Sequence, residues 1–249
     1  MAVSAKAQIG EGSVIAPEAL IQDDVIIGKN CKIHPNAQIL NGTRIKDNTE
    51  ICAFSVIGGD PQVKGWEEVP TYAEIGSNCV IREYVTINRS MNEGKSTIVG
   101  DDCYLMASSH VGHDAILAEG VIIVNYTGIP GHVEVGRKAF LSGYVGPHQF
   151  GRIGELSMIG GMTRLPQDVP PYFIAEGNPV KIRGVNSIGL KRDGKSREVI
   201  KEIKEAYKTI YLRKLPLKEA LLELETNFES EEVKNIVQFC KTSKRGIIR

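Results

Sequence analysis

Isoleucine recurs at positions 9, 15, 21, 27, 33, 39, 45, 51 and 57, one every six residues. Four residues after each of the first eight stands a slimmer side chain: Ser13, Ala19, Val25, Cys31, Ala37, Thr43, Thr49 and Ser55. The period returns at Ile75, Ile81 and Ile87, and then at Val99, Leu105, Val111, Leu117, Ile123, Ile129, Val135, Leu141, Ile153, Ile159 and Leu165, broken in that last series by Pro147. A helix needs apolar spacing near 3.6 and a hairpin sheet needs strict alternation, so the pattern fits neither. It fits short strands joined by tight corners. Three hexads make one triangular coil of about 18 residues, and each strand pairs with its equivalent about 4.8 Å above. The expected fold is mainly β: a parallel β-helix of hexapeptide repeats over residues 1–183, followed by a small α-helical domain over 184–249.

Two stretches depart from the repeat. In 58–74, Pro61 and Glu67 would fall at slim inward positions, where proline and unpaired charge are poorly tolerated. Residues 88–97 are polar and rich in turn formers. Both are expected to be loops leaving the stack, natural places for a binding site. From about residue 196 the spacing turns helical, with one apolar stripe through Val199, Ile200, Ile203, Ala206, Tyr207, Ile210 and Tyr211. A second helix is expected to open near Pro216, and a third to be capped by Ser230 with Glu231 and Glu232 in its first turn.

Thirty basic and thirty acidic residues balance over the 249-residue chain, which argues against a surface built for nucleic acid. The balance is local, however. The window 181–218 holds 12 basic and 4 acidic side chains and suits an acidic partner. Lys201, Lys204 and Lys208 recur at helical spacing within it. The five cysteines are odd in number and form no Cys-x-x-Cys pair, so a disulfide framework and a zinc ribbon are not indicated and a reducing, cytoplasmic compartment fits. Neither a leader core in Met1–Lys6 nor a membrane-length apolar run is visible.

His34 stands apart in the early coils and reads as a solvated turn residue. His110, His113, His132 and His148 fall within two adjacent coils. One coil length separates Asp114 from His132, His113 from Gly131, and Gly131 from Gln149, so these residues are expected to share a corner of the stack. Grouped histidines serve as a base or as metal ligands. Gly131 favours the base, because a glycine lets substrate approach the backbone and its N–H can donate to an oxyanion. No metal is therefore expected. No Ser–His or Cys–His pairing is evident, which points to direct attack by the substrate rather than a covalent enzyme intermediate.

The segments Ser109–Asp114 (SHVGHD), Gly131–Val133, His148–Phe150, Gln167–Tyr172 (QDVPPY), Gly177–Asn178, Gly184–Asn186, Gly189–Arg192 (GLKR) and Arg245–Arg249 (RGIIR) together resemble the acyl-[acyl-carrier-protein]–UDP-N-acetylglucosamine O-acyltransferases of lipid A biosynthesis. The resemblance spans nearly the whole chain. It implies a left-handed coil, against the usual right-handed sense of parallel crossovers, and a homotrimer with sites between subunits. It implies that His113 is the general base toward the sugar 3-hydroxyl, oriented by Asp114, with Gly131 stabilising the oxyanion. His110, His132, His148 and Gln149 would line the sugar and acyl cleft, Gln62, Asn186 and Arg192 would contact the nucleotide sugar, and Gly161 would leave room for the acyl tail. The donor would be an acyl carrier protein, docked on Lys191, Lys201, Lys204 and Lys208. Its phosphopantetheine travels with it, so no resident cofactor is implied. Three positions depart from the family pattern: Val63 stands where an aspartate is usual, Asp193 replaces a second arginine, and Pro147 precedes His148. N-acyl transfer to a 3-amino UDP-sugar is a variant of the same chemistry, and an acetyl-coenzyme A transferase, a zinc hydratase of the gamma carbonic anhydrase kind and a purely structural β-helix share the repeat.

Overall fold

The computed structural model describes residues 3–249; Met1 and Ala2, part of the segment read for a leader, lie outside the described residues. Short strands stack into three parallel sheets that wrap one narrow core. The first sheet has eight strands from Gln8–Ile9 to Arg152–Ile153, and the second has ten, from Val14–Ile15 to Lys181–Val185. The third has six, from Leu20–Ile21 to Gly128–Ile129, and a separate pair, Gly146–Pro147 with Arg164–Leu165, continues its direction. Within a column the large apolar residues sit on one another: Ile27 on Ile45, Ile45 on Ile75, Ile75 on Val99. Ile21 through Ile57 are buried, whereas Ile9 is exposed, because its strand is the edge of the first sheet.

The slim positions admit hydroxyls as well as Ala and Cys, and the structure shows how the hydroxyls are satisfied. Ser13, Thr49, Ser55 and Thr127 each donate to a backbone carbonyl of a stacked coil, at 2.7, 2.8, 2.7 and 2.6 Å, whereas the buried hydroxyl of Ser109, at the same kind of position, has no hydrogen-bond partner among the described residues. Corners take the left-handed backbone at Asn and Asp, such as Asn30, Asn36 and Asp114, and as readily at Phe54, Tyr84, Tyr126, His132, Tyr144 and Phe150. The third sheet divides at a readable place. Gly112 N–H reaches the Ile129 carbonyl at 2.7 Å, but the equivalent donor one coil on is Pro130, which has no N–H.

Both loops are narrower than expected. Strands claim Val56–Gly59 and Tyr72–Ile75 at one, and Thr86–Asn88 and Ser96–Val99 at the other, because Ala73 and Thr97 re-enter the core at slim positions. Residues 60–71 and 89–95 remain outside the ladder. The strand Lys181–Val185, antiparallel to Phe173–Glu176, straddles the expected boundary at 183/184. Four helices follow: α1 (Ser187–Arg192), which the periodicity did not reveal, α2 (Arg197–Tyr207), α3 (Leu217–Asn227) and α4 (Glu231–Thr242). A π-helical turn, Lys208–Leu212, extends α2. Ser230 occupies the α4 N-cap, yet its hydroxyl makes no capping bond. The C-terminal segment returns to the coil, where Asp168 pairs with Ile247 and its buried carboxylate accepts from Arg152 N–H (2.9 Å) and Ser243 Oγ (2.6 Å). No helix among the described residues is long and apolar enough to cross a membrane.

Candidate active site

His113 and Asp114 occupy the corner between the third and first sheets, directly after the strand His110–Val111. Asp114 takes the left-handed conformation at φ 59°, which turns its carboxylate back toward the preceding side chain. His113 Nδ1 lies 2.9 Å from Asp114 Oδ2. The loop 89–95 holds the carboxylate from its other side. Ser90 Oγ and Asn92 Nδ2 (3.0 Å) donate to Oδ1, and Met91 N–H donates to Oδ2 at 3.1 Å. Burial pushes the Asp114 carboxyl up, but these donors outweigh it and hold it below the usual carboxylate range. An ionised Asp114 accepts from Nδ1–H, which leaves the other ring nitrogen, Nε2, as the free basic atom.

Gly131 stands one coil above His113. A Cβ built there would lie 2.6 Å from His113 Cε1 and Nε2, so only glycine lets the imidazole face this part of the backbone. The adjacent His132 N–H is spent on the His113 carbonyl at 3.1 Å, while the Gly131 N–H has no intrachain partner among the described residues. A cleft of about 440 Å³ opens here, against the break in the third sheet. Gly128, Pro130 and Pro147 form its floor, and His113, Gly131, His110, Gln149 and Gln62 its functional edge, with Gly112 and Asn88 completing the wall. A groove of about 500 Å³ between the coil and α4 contains no histidine. Electrophile, base and polar donors converge in the cleft, the arrangement acyl transfer requires.

Of the residues singled out in the sequence, five thus meet in one cleft. His110 is braced by Thr86 Oγ1, 2.7 Å from its Nδ1, and burial pushes its imidazole below the ordinary histidine range, which favours the neutral form. His132 does not line the cleft. It stacks on Phe150 at 4.5 Å, packs edge-on to His113 at 5.1 Å and approaches Asp114 Oδ2 at 3.8 Å. His148 is exposed, with Nδ1 3.0 Å from the Gln149 carbonyl. Gly161 is exposed at a different corner, beside Gly143. Asn186 caps α1 by accepting from Gly189 N–H (3.0 Å) and donates to the Leu156 carbonyl (2.8 Å), so its side chain is engaged within its own chain. Arg192, Lys191, Lys201, Lys204 and Lys208 are exposed, the last paired with Glu205 at 2.7 Å. Asp193, half-buried with its side chain largely covered, is the centre of a clasp: Arg137 meets it with two nitrogens at 3.1 and 3.0 Å and Lys138 at 2.6 Å. Hydrogen bonding from Arg137 holds its carboxyl far below the usual range. His34 is half-exposed and lies 2.6 Å from Glu50 Oε1.

The sequence reading missed the residues that position the site. Arg89 binds Asp60 (2.7 Å) and Glu68 (3.1 Å) and lies over the Trp66 ring, pinning the loop that carries Gln62. Trp66 Nε1 in turn donates to the Met91 carbonyl at 3.1 Å, so the two loops brace each other. His113, Asp114 and His132 are close enough to suggest metal ligands. Against this, the four donors on Asp114 occupy the roughly four lone-pair directions of a carboxylate, leaving none for a cation.

A family model described as Udp N-acetylglucosamine O-acyltransferase, domain 2, matches residues 168–248, and one described as bacterial transferase hexapeptide (six repeats) matches 96–131. A third, the GMPPB C-terminal domain, matches 1–94, within the repeats. An acyl-[acyl-carrier-protein]–UDP-N-acetylglucosamine O-acyltransferase of Gloeothece citriformis is 43% identical over 173 residues, 68% of this chain and 63% of that protein, so the match spans a little under two thirds of the relative's length. The solved UDP-N-acetylglucosamine acyltransferase of Bacteroides fragilis superposes with a TM-score of 0.97 at 42% identity, covering 99% of this chain and 97% of that one. The Campylobacter jejuni enzyme gives 0.93 at 35%, covering 99% and 96%. The stack is the left-handed parallel β-helix of these structures. Near-complete superposition at this identity, together with the C-terminal domain match, shows that the chain belongs to the UDP-N-acetylglucosamine O-acyltransferase family.

Proposed function

We propose that this chain transfers an acyl group, 3-hydroxylated in the favoured donor, from an acyl carrier protein to the 3-oxygen of UDP-N-acetylglucosamine, the first step of lipid A biosynthesis. The observation that carries this reading is the His113–Asp114 contact of 2.9 Å set against the bare backbone of Gly131. His113 Nε2 removes the proton from the sugar hydroxyl as that oxygen bonds to the thioester carbon. The carbonyl oxygen becomes an oxyanion facing the Gly131 N–H. Collapse breaks the carbon–sulfur bond, and the imidazolium returns its proton to the departing phosphopantetheine thiolate. No metal or resident cofactor enters these steps.

Gln62, His110 and Gln149 hold the substrates in the cleft. The same reading takes the assembly to be a homotrimer with sites between subunits, in which Arg192 and Gly161, both exposed and away from the cleft of their own chain, serve a neighbour's site. The exposed lysines Lys191, Lys201, Lys204 and Lys208 receive the acidic carrier protein. Five free, buried cysteines fit work in the cytoplasm. Mass spectrometry of the product from UDP-N-acetylglucosamine and acyl carrier proteins of several chain lengths tests the reading. A UDP-sugar heavier by one acyl group, formed equally after chelator treatment, supports it. Activity abolished by chelator and restored by zinc replaces it with metal chemistry.

A further inference from the structure

Trp66 is the only tryptophan in the chain and lies in the loop 60–71, four residues after Gln62. Its ring is steadied by Arg89, a buried residue whose guanidinium carbon sits 5.1 Å from the ring centroid. Arg89 is itself tied to Asp60 by Nε (3.2 Å) and Nη2 (2.7 Å), and to Glu68 by Nη2 (3.1 Å). A ring held this way aims its one polar atom, and Nε1–H donates to the Met91 carbonyl at 3.1 Å. Met91 stands in the turn that grips the Asp114 carboxylate. Ser90 N–H and Gly94 N–H anchor the ends of that turn on the Tyr72 and Pro70 carbonyls, at 3.1 and 2.8 Å. Ser90 Oγ, which donates to Asp114 Oδ1, accepts from Asn92 N–H at 3.0 Å and closes the turn on itself. Between these anchors the two backbone groups of Met91 serve different neighbours: the N–H goes to Asp114 Oδ2 at 3.1 Å, and the carbonyl takes the indole. Asp114 Oδ2 is also the atom that meets His113 Nδ1 at 2.9 Å. Trp66, Met91, Asp114 and His113 thus form one unbroken run of contacts from the loop that carries Gln62 to the base.

Resting on the acyl-transfer reading above, we propose that Trp66 is a positioning residue for that reaction: its indole N–H fixes the Met91 carbonyl, and through Met91 the Asp114 carboxylate and the ring of His113. A base works only within about 0.5 Å of its productive place, so the firmness of the groups behind it is felt in kcat. Because the same loop carries Gln62 to the cleft, seating that loop brings a substrate-holding side chain into place and steadies the base in one event.

The test is Trp66→Phe, which keeps an aromatic ring beside Arg89 and withdraws only the N–H. The expected result is a fall in kcat of about fivefold, the worth of one hydrogen bond, with KM for UDP-N-acetylglucosamine and for the acyl donor kept within about twofold. A double-mutant cycle with Asp114→Gly separates positioning from packing, since glycine removes the carboxylate at a corner whose φ of 59° suits it. In the Asp114→Gly chain the same tryptophan change should lower kcat by less than about 1.5-fold, because Met91 has no carboxylate left to hold. An unchanged kcat in Trp66→Phe, a loss carried by KM, or an equal loss in both chains overturns the proposal. Asp114→Ala supplies the cycle if the glycine variant folds poorly. Absence of acyl transfer by wild type would refute the reaction instead, and the run of contacts is then read without turnover. Acrylamide quenching of the Trp66 fluorescence should rise about twofold in Asp114→Gly, and quenching equal to wild type overturns the proposal.

Discussion

The His113 imidazole occupies the space that a side chain on Gly131 would need, with the absent Cβ only 2.6 Å from Nε2. One coil of the β-helix separates these residues in sequence, and stacking makes them neighbours. Gly131→Ala is therefore expected to push the ring off its position while leaving the ladder intact. Turnover should fall by about a hundredfold or more, with an unchanged circular dichroism spectrum and oligomeric state. Near-normal turnover in a folded variant would remove Gly131 from the reaction.

His113→Ala should lose about 10²–10⁴ in kcat, the usual worth of a positioned general base, with substrate binding largely kept. Steady-state kinetics on the purified variant decide the point.

Asp114 acts through His113, so its removal should change the pH dependence as well as the rate. Because its folded pKa is depressed, the carboxylate is ionised throughout the neutral range, and it loses its charge only as pH falls through that lowered value. Ser90→Ala withdraws one donor from Oδ1 and should loosen the hold on the carboxylate that positions His113, lowering kcat severalfold with KM nearly unchanged. Asp114→Asn, which also tolerates the left-handed corner, should cost about ten- to a thousandfold because it no longer enforces the tautomer. Equal kcat in wild type and Ser90→Ala would argue that the loop 89–95 does not hold the base in place.

Charge reversal of Lys201 and Lys204 on α2 is expected to raise KM for the carrier-bound donor severalfold, more steeply at low salt, with KM for the UDP-sugar nearly unchanged. Equal weakening of both substrates, or of neither, places the carrier protein elsewhere.

The Arg137–Asp193–Lys138 clasp makes a prediction about stability. A carboxyl whose pKa is lowered on folding contributes stability that is present above its unfolded pKa of about 3.9 and is lost as pH falls through the folded value. Asp193→Asn should lower Tm by about 3–8 °C at pH 7, and the deficit should shrink progressively below pH 4. Calorimetric scans from pH 7 to pH 2.5 follow the difference, and a deficit independent of pH would show that charge is not what the clasp supplies.

Ile57, Ile87 and Val111 form one column although 30 and then 24 residues separate them, and this shows where sequence reading works and where it stops. Each strand pairs with a copy of its own pattern, so a period of six encodes the pairing partner, and His113 under Gly131 follows from counting. Strand, corner and core were legible for that physical reason, and the amphipathic stripe of α2 was legible because burial of one helical face repeats every 3.6 residues. Counting fails across inserted loops. Ser90 and Asn92 reach Asp114 from 24 and 22 residues away, Arg89 reaches Asp60 from 29, and Arg137 reaches Asp193 from 56, none a multiple of the coil. These contacts depend on the path a loop takes back to the stack and on the way a helix docks on it. For that reason the sequence by itself determined the coil and the stacking of Gly131 over His113. The tertiary structure decided what holds Asp114 in place and which groups clasp Asp193.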